Sequence, residues 1–242
     1  MTKLKDKTYV KDSTCLSVTL GIKYLGEGNI TLAIRILNKG LLTDPNNPSL
    51  LQTLGTAYAQ KQSWLKAAYY YALAIDNSPE ADSDTHLLIG IAFFHLGKIN
   101  QAIIELNDGL KTDPGNYQAR WFLAQCYYNT GRFVEAINEY KIMLNTAQGV
   151  IVENTHYMIA DIYRLQGQFD DAIIELKKGL EINPNMGEAH YWLGKCYEEK
   201  GLLTESKSEY QIAESLGYNE GGGNNGGISD SDIPIFNLSI AK

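Results

Sequence analysis

Cysteine is scarce in this chain: three cysteines are scattered over 242 residues. Three are too few for a disulfide framework, so the sequence predicts a fold without disulfide bonds. Cys126 and Cys196 each stand directly before a tyrosine at the same place in a recurring pattern, which predicts that both are small buried residues, whereas Cys15 is the candidate for exposure. This usage is typical of a reducing compartment, and we expect a cytoplasmic protein.

Positive charge and long apolar runs are also in short supply. Lysine and arginine number 21 against 28 aspartates and glutamates, which gives a net charge of -7. Binding to nucleic-acid phosphates needs a basic stripe, and none is visible, so we expect no nucleic-acid partner. No apolar run follows the mildly basic first dozen residues, and none elsewhere is long enough to span a bilayer. We therefore expect no membrane insertion.

Residue combinations that mark catalytic or metal sites are missing. We find no Ser/His/Asp arrangement, no glycine-rich phosphate loop after a strand and no zinc-ligand spacing. His86, His156 and His190 recur at one place in the repeating pattern. Because a whole repeat separates neighbouring copies, they are too far apart to share one metal ion. The sequence predicts no cofactor, no metal and no enzymatic activity.

What the chain has in abundance is repetition. One pattern recurs six times, at intervals of 34, 35, 34, 36 and 34 residues. Thirteen residues before its central alanine stands Leu or Ile, followed by a small residue; an aromatic stands nine before it, glycine usually five before it, and proline often twelve after it. A fixed period of this length predicts a solenoid of stacked helix pairs. The central residues are Ala33, Ala67, Ala102, Ala136, Ala172 and, in the sixth copy, Ser206.

These Leu-Gly, Tyr, Gly, Ala and Pro positions, at these spacings, resemble the tetratricopeptide repeat family over residues 14–220. The resemblance implies an all-α fold, a right-handed α-solenoid of six helix-turn-helix repeats. In each first helix the leucine, small residue and aromatic share one face, and we expect the small residue to oppose the central alanine where the two helices cross. Outside the repeats we predict an N-terminal extension (1–13), a Gly/Asn-rich flexible linker (221–229) and an apolar C-terminal peptide (230–242).

In this family the first helices line a concave groove that binds peptides. Relatives that clamp the acidic ends of chaperones carry Lys, Asn and Arg at set groove positions, where this chain has Val18, Ile22 and Thr53. That role is therefore disfavoured. By matching positions, we expect a groove that is aromatic in its middle and charged at its C-terminal end. Its predicted residues are Leu87, Ile91, Phe94, Trp121, Gln125, Tyr128, Tyr157, Asp161, Arg164, Tyr191 and Lys195.

The C-terminal peptide reads DSDIPIFNLSIAK, an unusual density of apolar residues for a chain end. Such a density predicts a docking segment, and Pro234 predicts that it is extended. Three docking places stay open: the exposed end of the sixth repeat, the concave groove, or a separate partner. A disordered end that docks nowhere is the remaining alternative. Docking on a neighbouring copy would make the chain self-associate. The predicted docking residues are Ile233, Ile235, Phe236, Leu238 and Ile240.

Together these features predict a protein–protein interaction scaffold or assembly chaperone that binds an extended or helical peptide in its concave groove. The alternative is a regulatory or targeting subunit of an enzyme or of a secretion or pilus complex, docking through the convex face and the C-terminal peptide. In both cases the partner is another protein or a peptide segment of one.

Overall fold

The computed structural model describes residues 13–78, 83–145 and 152–218, and the helical backbone at 2–12, 146, 150 and 151. All regular secondary structure in these residues is helical. The described helices are α1 (Thr2–Gly26), α2 (Ile30–Thr43), α3 (Pro48–Gln60), α4 (Trp64–Asp76), α5 (Ser83–His95), α6 (Ile99–Thr112), α7 (Tyr117–Asn129), α8 (Phe133–Thr146), α9 (Val150–Leu165), α10 (Phe169–Ile182), α11 (Gly187–Glu199) and α12 (Leu203–Ser215).

Odd-numbered helices are the first helices of repeats 1 to 6, and even-numbered helices are the second ones. The predicted all-α class of six helix-turn-helix repeats is therefore confirmed. The central alanines of repeats 1 to 5 all lie on second helices and are completely buried, and Ser206 of repeat 6 is nearly so. Residues 2–13, predicted as an extension, are helical and form the first half of α1.

The chain divides into two compact units, Met1–Cys126 and Tyr127–Lys242. In the first unit, Leu37 of repeat 1 packs with Leu50 and Leu54 of repeat 2. In the second unit, Ile173 of repeat 5 packs with Leu193 of repeat 6. In both units, therefore, one repeat buries its apolar face against the next, as a repeat too small to form its own core must do.

The predicted glycine lies in the turn between the two helices of every repeat except repeat 2. Gly28, Gly97, Gly131, Gly167 and Gly201 all have φ between 70 and 74°. The N–H of Gly28 and that of the following residue donate to carbonyls of the last turn of α1, which satisfies the helix end. Repeat 2 has Gln62 in this place, and it adopts φ 57° in spite of its side chain.

The small residue of the first helix makes room for a large side chain of the second. A Cβ built on Gly55 would lie 2.6 Å from Cδ1 and Cε1 of Tyr71. The side chain over the glycine comes four residues after the central residue. The carbonyl oxygen of the central residue, which the sequence predicted opposite the glycine, also lies close in two repeats: Ala102 O is 3.5 Å from a Cβ built on Gly90, and Ser206 O is 3.2 Å from one built on Gly194. The same contact joins Gly21 to Leu37, Gly90 to Leu106 and Gly194 to Tyr210.

Candidate functional site

In the first unit, much of the predicted groove is buried. Leu87 and Ile91 are only 1 and 3% exposed, and Trp121 is 6% exposed. These three side chains pack inside the protein, so their prediction as groove-lining surface needs correction. Phe94 is half-buried and packs edge-on against Phe122, with ring centroids 5.6 Å apart. Gln125 is also half-buried.

In the second unit, predicted groove residues form a polar network that joins consecutive repeats. The hydroxyl of Tyr128, at the end of α7, donates to Oδ2 of Asp161 on α9 at 2.6 Å. Nε and Nη2 of Arg164, one turn further along α9, donate to Oδ1 of the same carboxylate at 3.1 and 2.6 Å. Burial and the hydrogen bond to Asp161 raise the pKa of Tyr128 to about 12. The tyrosine therefore stays protonated and remains a donor at physiological pH.

The guanidinium of Arg164 also stacks on the indole of Trp192 in α11, with its Cζ 4.0 Å from the ring centroid. A shallow surface depression is lined by Arg164, Trp192, Tyr157, Asp161, Ala160 and Leu176. The indole Nε1 of Trp192 is buried and has no acceptor among the described residues. A buried donor without an acceptor is rare in folded proteins. This one belongs to a residue that lines an open depression.

Tyr157 makes the second bridge between repeats 5 and 6. Its hydroxyl donates to Oε1 of Glu188 at 2.9 Å. Burial, followed by the charge of Glu188, raises the pKa of Tyr157 well above its ordinary value. Tyr191 is only 8% exposed, and its ring packs against Trp192 and Tyr210. Contrary to the prediction, Tyr191 therefore contributes little to the surface.

Lys195 continues the row of charged groups along α11. Its Nζ lies 3.5 Å from Oε2 of Glu198, which also accepts a hydrogen bond from Tyr210 at 2.7 Å. The hydroxyl of Tyr210 and then the charge of Lys195 lower the pKa of Glu198. The side chains of Arg164, Lys195 and Glu198 are 24, 34 and 49% exposed. The charged side chains of α9 and α11, which the sequence predicted at this end of the groove, are thus partly exposed, whereas Tyr191 is buried.

The recurring histidines tie the two helices of one repeat together. Nδ1 of His86 lies 2.9 Å from a carboxylate oxygen of Glu105. Equivalent pairs join His156 to Glu175 and His190 to Glu209, both at 2.6 Å. Among the described residues, no group of three or more His, Cys, Asp or Glu side chains is placed to hold a metal ion.

The cysteines lie where the sequence predicted. Cys126 and Cys196 are buried, whereas Cys15 is exposed. Burial raises the pKa of Cys126 to about 12 and that of Cys196 to about 11. Both thiols are therefore protonated and poor nucleophiles at neutral pH.

Two further predictions concern residues 221–229 and 230–242. The linker and the docking residues of the C-terminal peptide (Ile233, Ile235, Phe236, Leu238 and Ile240) lie outside the residues that the structure describes. Within the described part, no helix is both long and apolar enough to cross a bilayer.

Stacked helix pairs define a helical-repeat protein. A tetratricopeptide repeat model matches residues 18–82 and 87–147, and a TPR repeat model matches residues 160–201. The chain belongs to the tetratricopeptide repeat family. The fold is that of a protein–protein interaction scaffold, and proteins of this family bind other proteins or peptides.

Superkiller protein 3 of Schizosaccharomyces pombe is 20% identical to this chain over 218 residues, which cover 84% of this chain and 15% of that protein. The chain spans 15 to 35% of the length of the curated relatives it matches. Their activities as whole proteins therefore do not transfer to it.

Solved structures share the fold. The C-terminal part of a TPR repeat-containing protein of Cytophaga hutchinsonii superposes with a TM-score of 0.73 at 17% identity, covering 82% of this chain and 78% of that one. YrrB, described as a TPR protein with an unusual peptide-binding site, superposes with a TM-score of 0.61 at 18% identity, covering 69% of this chain and 85% of that one. At these identities the likeness establishes the fold alone.

Proposed function

We propose that this chain binds a peptide segment of another protein on the surface of α9 and α11, with the depression beside Trp192 as the centre of the contact. The observation that carries the proposal is that the Arg164 guanidinium and the Trp192 indole, stacked on each other, line a shallow depression together with apolar side chains.

The surroundings of the depression are already fixed. Asp161 holds the Arg164 guanidinium from one side, and the Trp192 ring supports its face. Immobilising a long side chain on binding costs about 0.5 to 1.5 kcal/mol, and here the protein has ordered Arg164 before the peptide arrives. Residues of Leu or Ile type are suited to the apolar walls formed by Ala160, Leu176 and the aromatic rings.

Charge defines the rest of the ligand. Asp161 receives hydrogen bonds from Nε and Nη2 of Arg164, and a guanidinium has five N–H donors in all. Lys195 adds a second cation on the next first helix; its side chain is 34% exposed and its Nζ lies 3.5 Å from Oε2 of Glu198. We therefore propose a peptide with an apolar residue next to an acidic one, in an extended or helical conformation. The peptide-binding site named for YrrB supports a peptide ligand as a class.

The experiment is a selection of random peptides of about 15 residues, displayed on phage, against the full-length protein, followed by Kd measurements with the selected peptides. Lys195→Glu reverses a charge beside the depression. We expect it to weaken binding by about tenfold. Lys141→Glu is the matched control, because Lys141 is exposed on α8, a second helix. It should leave Kd unchanged, with circular dichroism checking that both variants are folded. Peptides that bind both variants equally well would refute the proposal.

A second candidate function is docking through second helices as a subunit of a larger complex. Leu65 and Tyr69 lie one turn apart on α4 and are 67 and 59% exposed, an apolar pair on the surface. In the same measurements, a Leu65→Ser/Tyr69→Ser variant separates the two candidates. Binding that is lost in this variant and kept in Lys195→Glu would favour the second candidate.

The same proposal places the protein in the cytoplasm. None of its three cysteines, all of which the structure describes, forms a disulfide, which is typical of proteins kept in a reducing compartment. Fractionation of cells, followed by immunoblotting of the full-length protein, tests this placement. Recovery in an oxidising compartment would contradict it.

A further inference from the structure

Four positions of each second helix share one face of that helix: three residues before the central residue, and one, four and eight after it. We call these positions the outer stripe. In repeats 1 to 5 every one of them is apolar. The outer stripe of α10 consists of Phe169, Ile173, Leu176 and Leu180, and all four pack in one cluster with residues of repeat 6. The outer stripe of α2 packs in the same way on repeat 2.

The outer stripe of α12 breaks this rule. It consists of Leu203, Lys207, Tyr210 and Glu214. Lys207 and Glu214 are exposed charged residues at positions that are apolar in all five other repeats. Stacking a further repeat of the same kind on α12 would bury both charges, which is strongly unfavourable. The chemistry of this stripe therefore suits a different and narrower occupant.

Apolar surface nevertheless remains on α12. Leu203 is 68% exposed, and Leu202, directly before the helix, is 38% exposed. In the preceding repeat the position of Leu203 is taken by Phe169, which is partly buried in the cluster with repeat 6. A large apolar residue thus lies open on α12 where its equivalent on α10 is covered.

The sequence of the C-terminal peptide matches such a narrow site. In an extended segment every second side chain points to the same edge. Phe236, Leu238 and Ile240 then share one edge, and Asn237 and Ser239 lie on the opposite edge. Five extended residues span roughly 13 to 16 Å. The stretch of α12 from Leu203 to Glu214 is of similar length, about 16 Å at 1.5 Å per residue.

The length of chain between α12 and this peptide allows the contact. The described chain ends at Tyr218, whose ring lies 5.2 Å from that of Tyr191. Eleven residues, 219–229, separate Tyr218 from the peptide, and seven of them belong to the run GGGNNGG with two more before and two after it. A chain of this composition has a root-mean-square span of roughly 17 to 20 Å, close to the length of α12.

We propose that residues 230–242 of this chain dock in cis on the outer stripe of α12, with the edge formed by Phe236, Leu238 and Ile240 against Leu203 and Tyr210. Lys207 lies between Leu203 and Tyr210 on the stripe, so the peptide lies over its aliphatic stem while its ammonium group reaches water beside the peptide, and Glu214 lies beyond Tyr210. It is a cap that this chain supplies to its own sixth repeat. This contact is independent of the peptide site on α9 and α11.

Hydrogen–deuterium exchange of the full-length protein tests the cap. The Phe236→Ser/Leu238→Ser variant removes the apolar edge, and we expect the amides of residues 203–215 to exchange about tenfold faster or more, because they lose a covering layer. Amides of α2 should be unchanged, since repeats contact only their neighbours. The matched control, Asn237→Ala/Ser239→Ala, alters the opposite edge and should exchange like the wild type.

A second variant tests the other side of the contact. Leu203→Ser changes a residue that is mostly exposed, so the protein should fold normally. Residues 236–240 should then lose protection against exchange. The cap is refuted if these residues already exchange at the rate of an unstructured peptide in the wild type, or if the Phe236→Ser/Leu238→Ser variant leaves α12 unchanged. If residues 236–240 lose their protection against exchange on dilution, and light scattering gives twice the mass of one chain before dilution, the contact is made with a second copy. That result would also overturn docking in cis. None of these results involves Lys195, so peptide binding at α9 and α11 stands or falls separately.

Discussion

Replacing Gly55 by alanine tests how the two helices of a repeat fit together. The added Cβ would lie 2.6 Å from two carbons of the Tyr71 ring, whereas non-bonded carbons are most stable at about 3.5 to 4.0 Å apart. Tyr71 has little room to withdraw, because it is 1% exposed and its hydroxyl donates to Thr56 at 3.2 Å. The substitution should therefore force the ring or the helix to shift.

Two effects of opposite sign decide the size of the change. Overpacking a filled core costs roughly 1 to 3 kcal/mol. Alanine in place of glycine inside a helix returns up to about 1 kcal/mol. For Gly55→Ala we expect a net loss of about 1 to 2 kcal/mol in the free energy of unfolding. Gly26→Ala is the matched control: Gly26 is also in a helix, but a Cβ there meets nothing within 4 Å. It should be neutral or slightly stabilising.

Urea unfolding followed by circular dichroism measures both variants under the same conditions. The midpoint of Gly55→Ala should fall below the wild-type value, and that of Gly26→Ala should not. If Gly55→Ala is as stable as Gly26→Ala, the ring of Tyr71 does not determine the close approach of α3 and α4, and the explanation for the recurring small residue is wrong.

Three further predictions follow from pKa values. With native protein, a thiol reagent should modify Cys15 alone, because burial raises the pKa values of Cys126 and Cys196 to about 12 and about 11; modification of all three before unfolding would contradict the packing. The stabilisation that depends on protonated Tyr128 should be complete below its unfolded pKa of about 10 and lost as the pH rises through about 12. In an alkaline absorbance titration, the wild-type protein should show a tyrosine ionisation near pH 12 that the Tyr128→Phe variant lacks. Burial alone would raise the pKa of Glu175, but hydrogen bonds from His156 and Lys178 outweigh burial, so the pKa is lowered. The contribution of this carboxylate to the free energy of unfolding is therefore present above pH 4.5 and is lost as the pH falls through the lowered pKa. Glu175→Gln should lower Tm more at pH 7 than at pH 3; equal losses would contradict this.

The repeat period carried most of the fold prediction. The leucine of the pattern lies on a buried helix face, the glycine five residues before the central alanine forms a left-handed turn, and the small residue of the first helix allows a close helix crossing. Gly28 and its equivalents could be placed because a left-handed turn favours glycine wherever it occurs. The partner of Gly55 could not be placed, because Ala67 and Tyr71 lie one turn apart on α4 and the spacing does not say which of them covers the glycine.

The candidate site was predicted less well, for a physical reason. Matching positions gives the face of a helix that a residue occupies, but not how deeply the next repeat covers it, and so Leu87 was placed in a groove although it is buried. The hydrogen bond from Tyr128 to Asp161 joins residues 33 apart, and it depends on the rotation of one repeat against the next. Trp192 was missed because it stands beside a matched position and not at one.

Photo-cross-linking locates the peptide most directly, because it shows whether the peptide binds over the depression that Arg164 and Trp192 line. A selected peptide carrying a benzophenone group in place of its apolar residue is irradiated with the full-length protein, and the adducts are located by mass spectrometry. The account predicts adducts on α9 and α11, concentrated near Trp192, and their loss in Lys195→Glu. Adducts that lie mainly on α10 or α12, or that persist in Lys195→Glu, would contradict it.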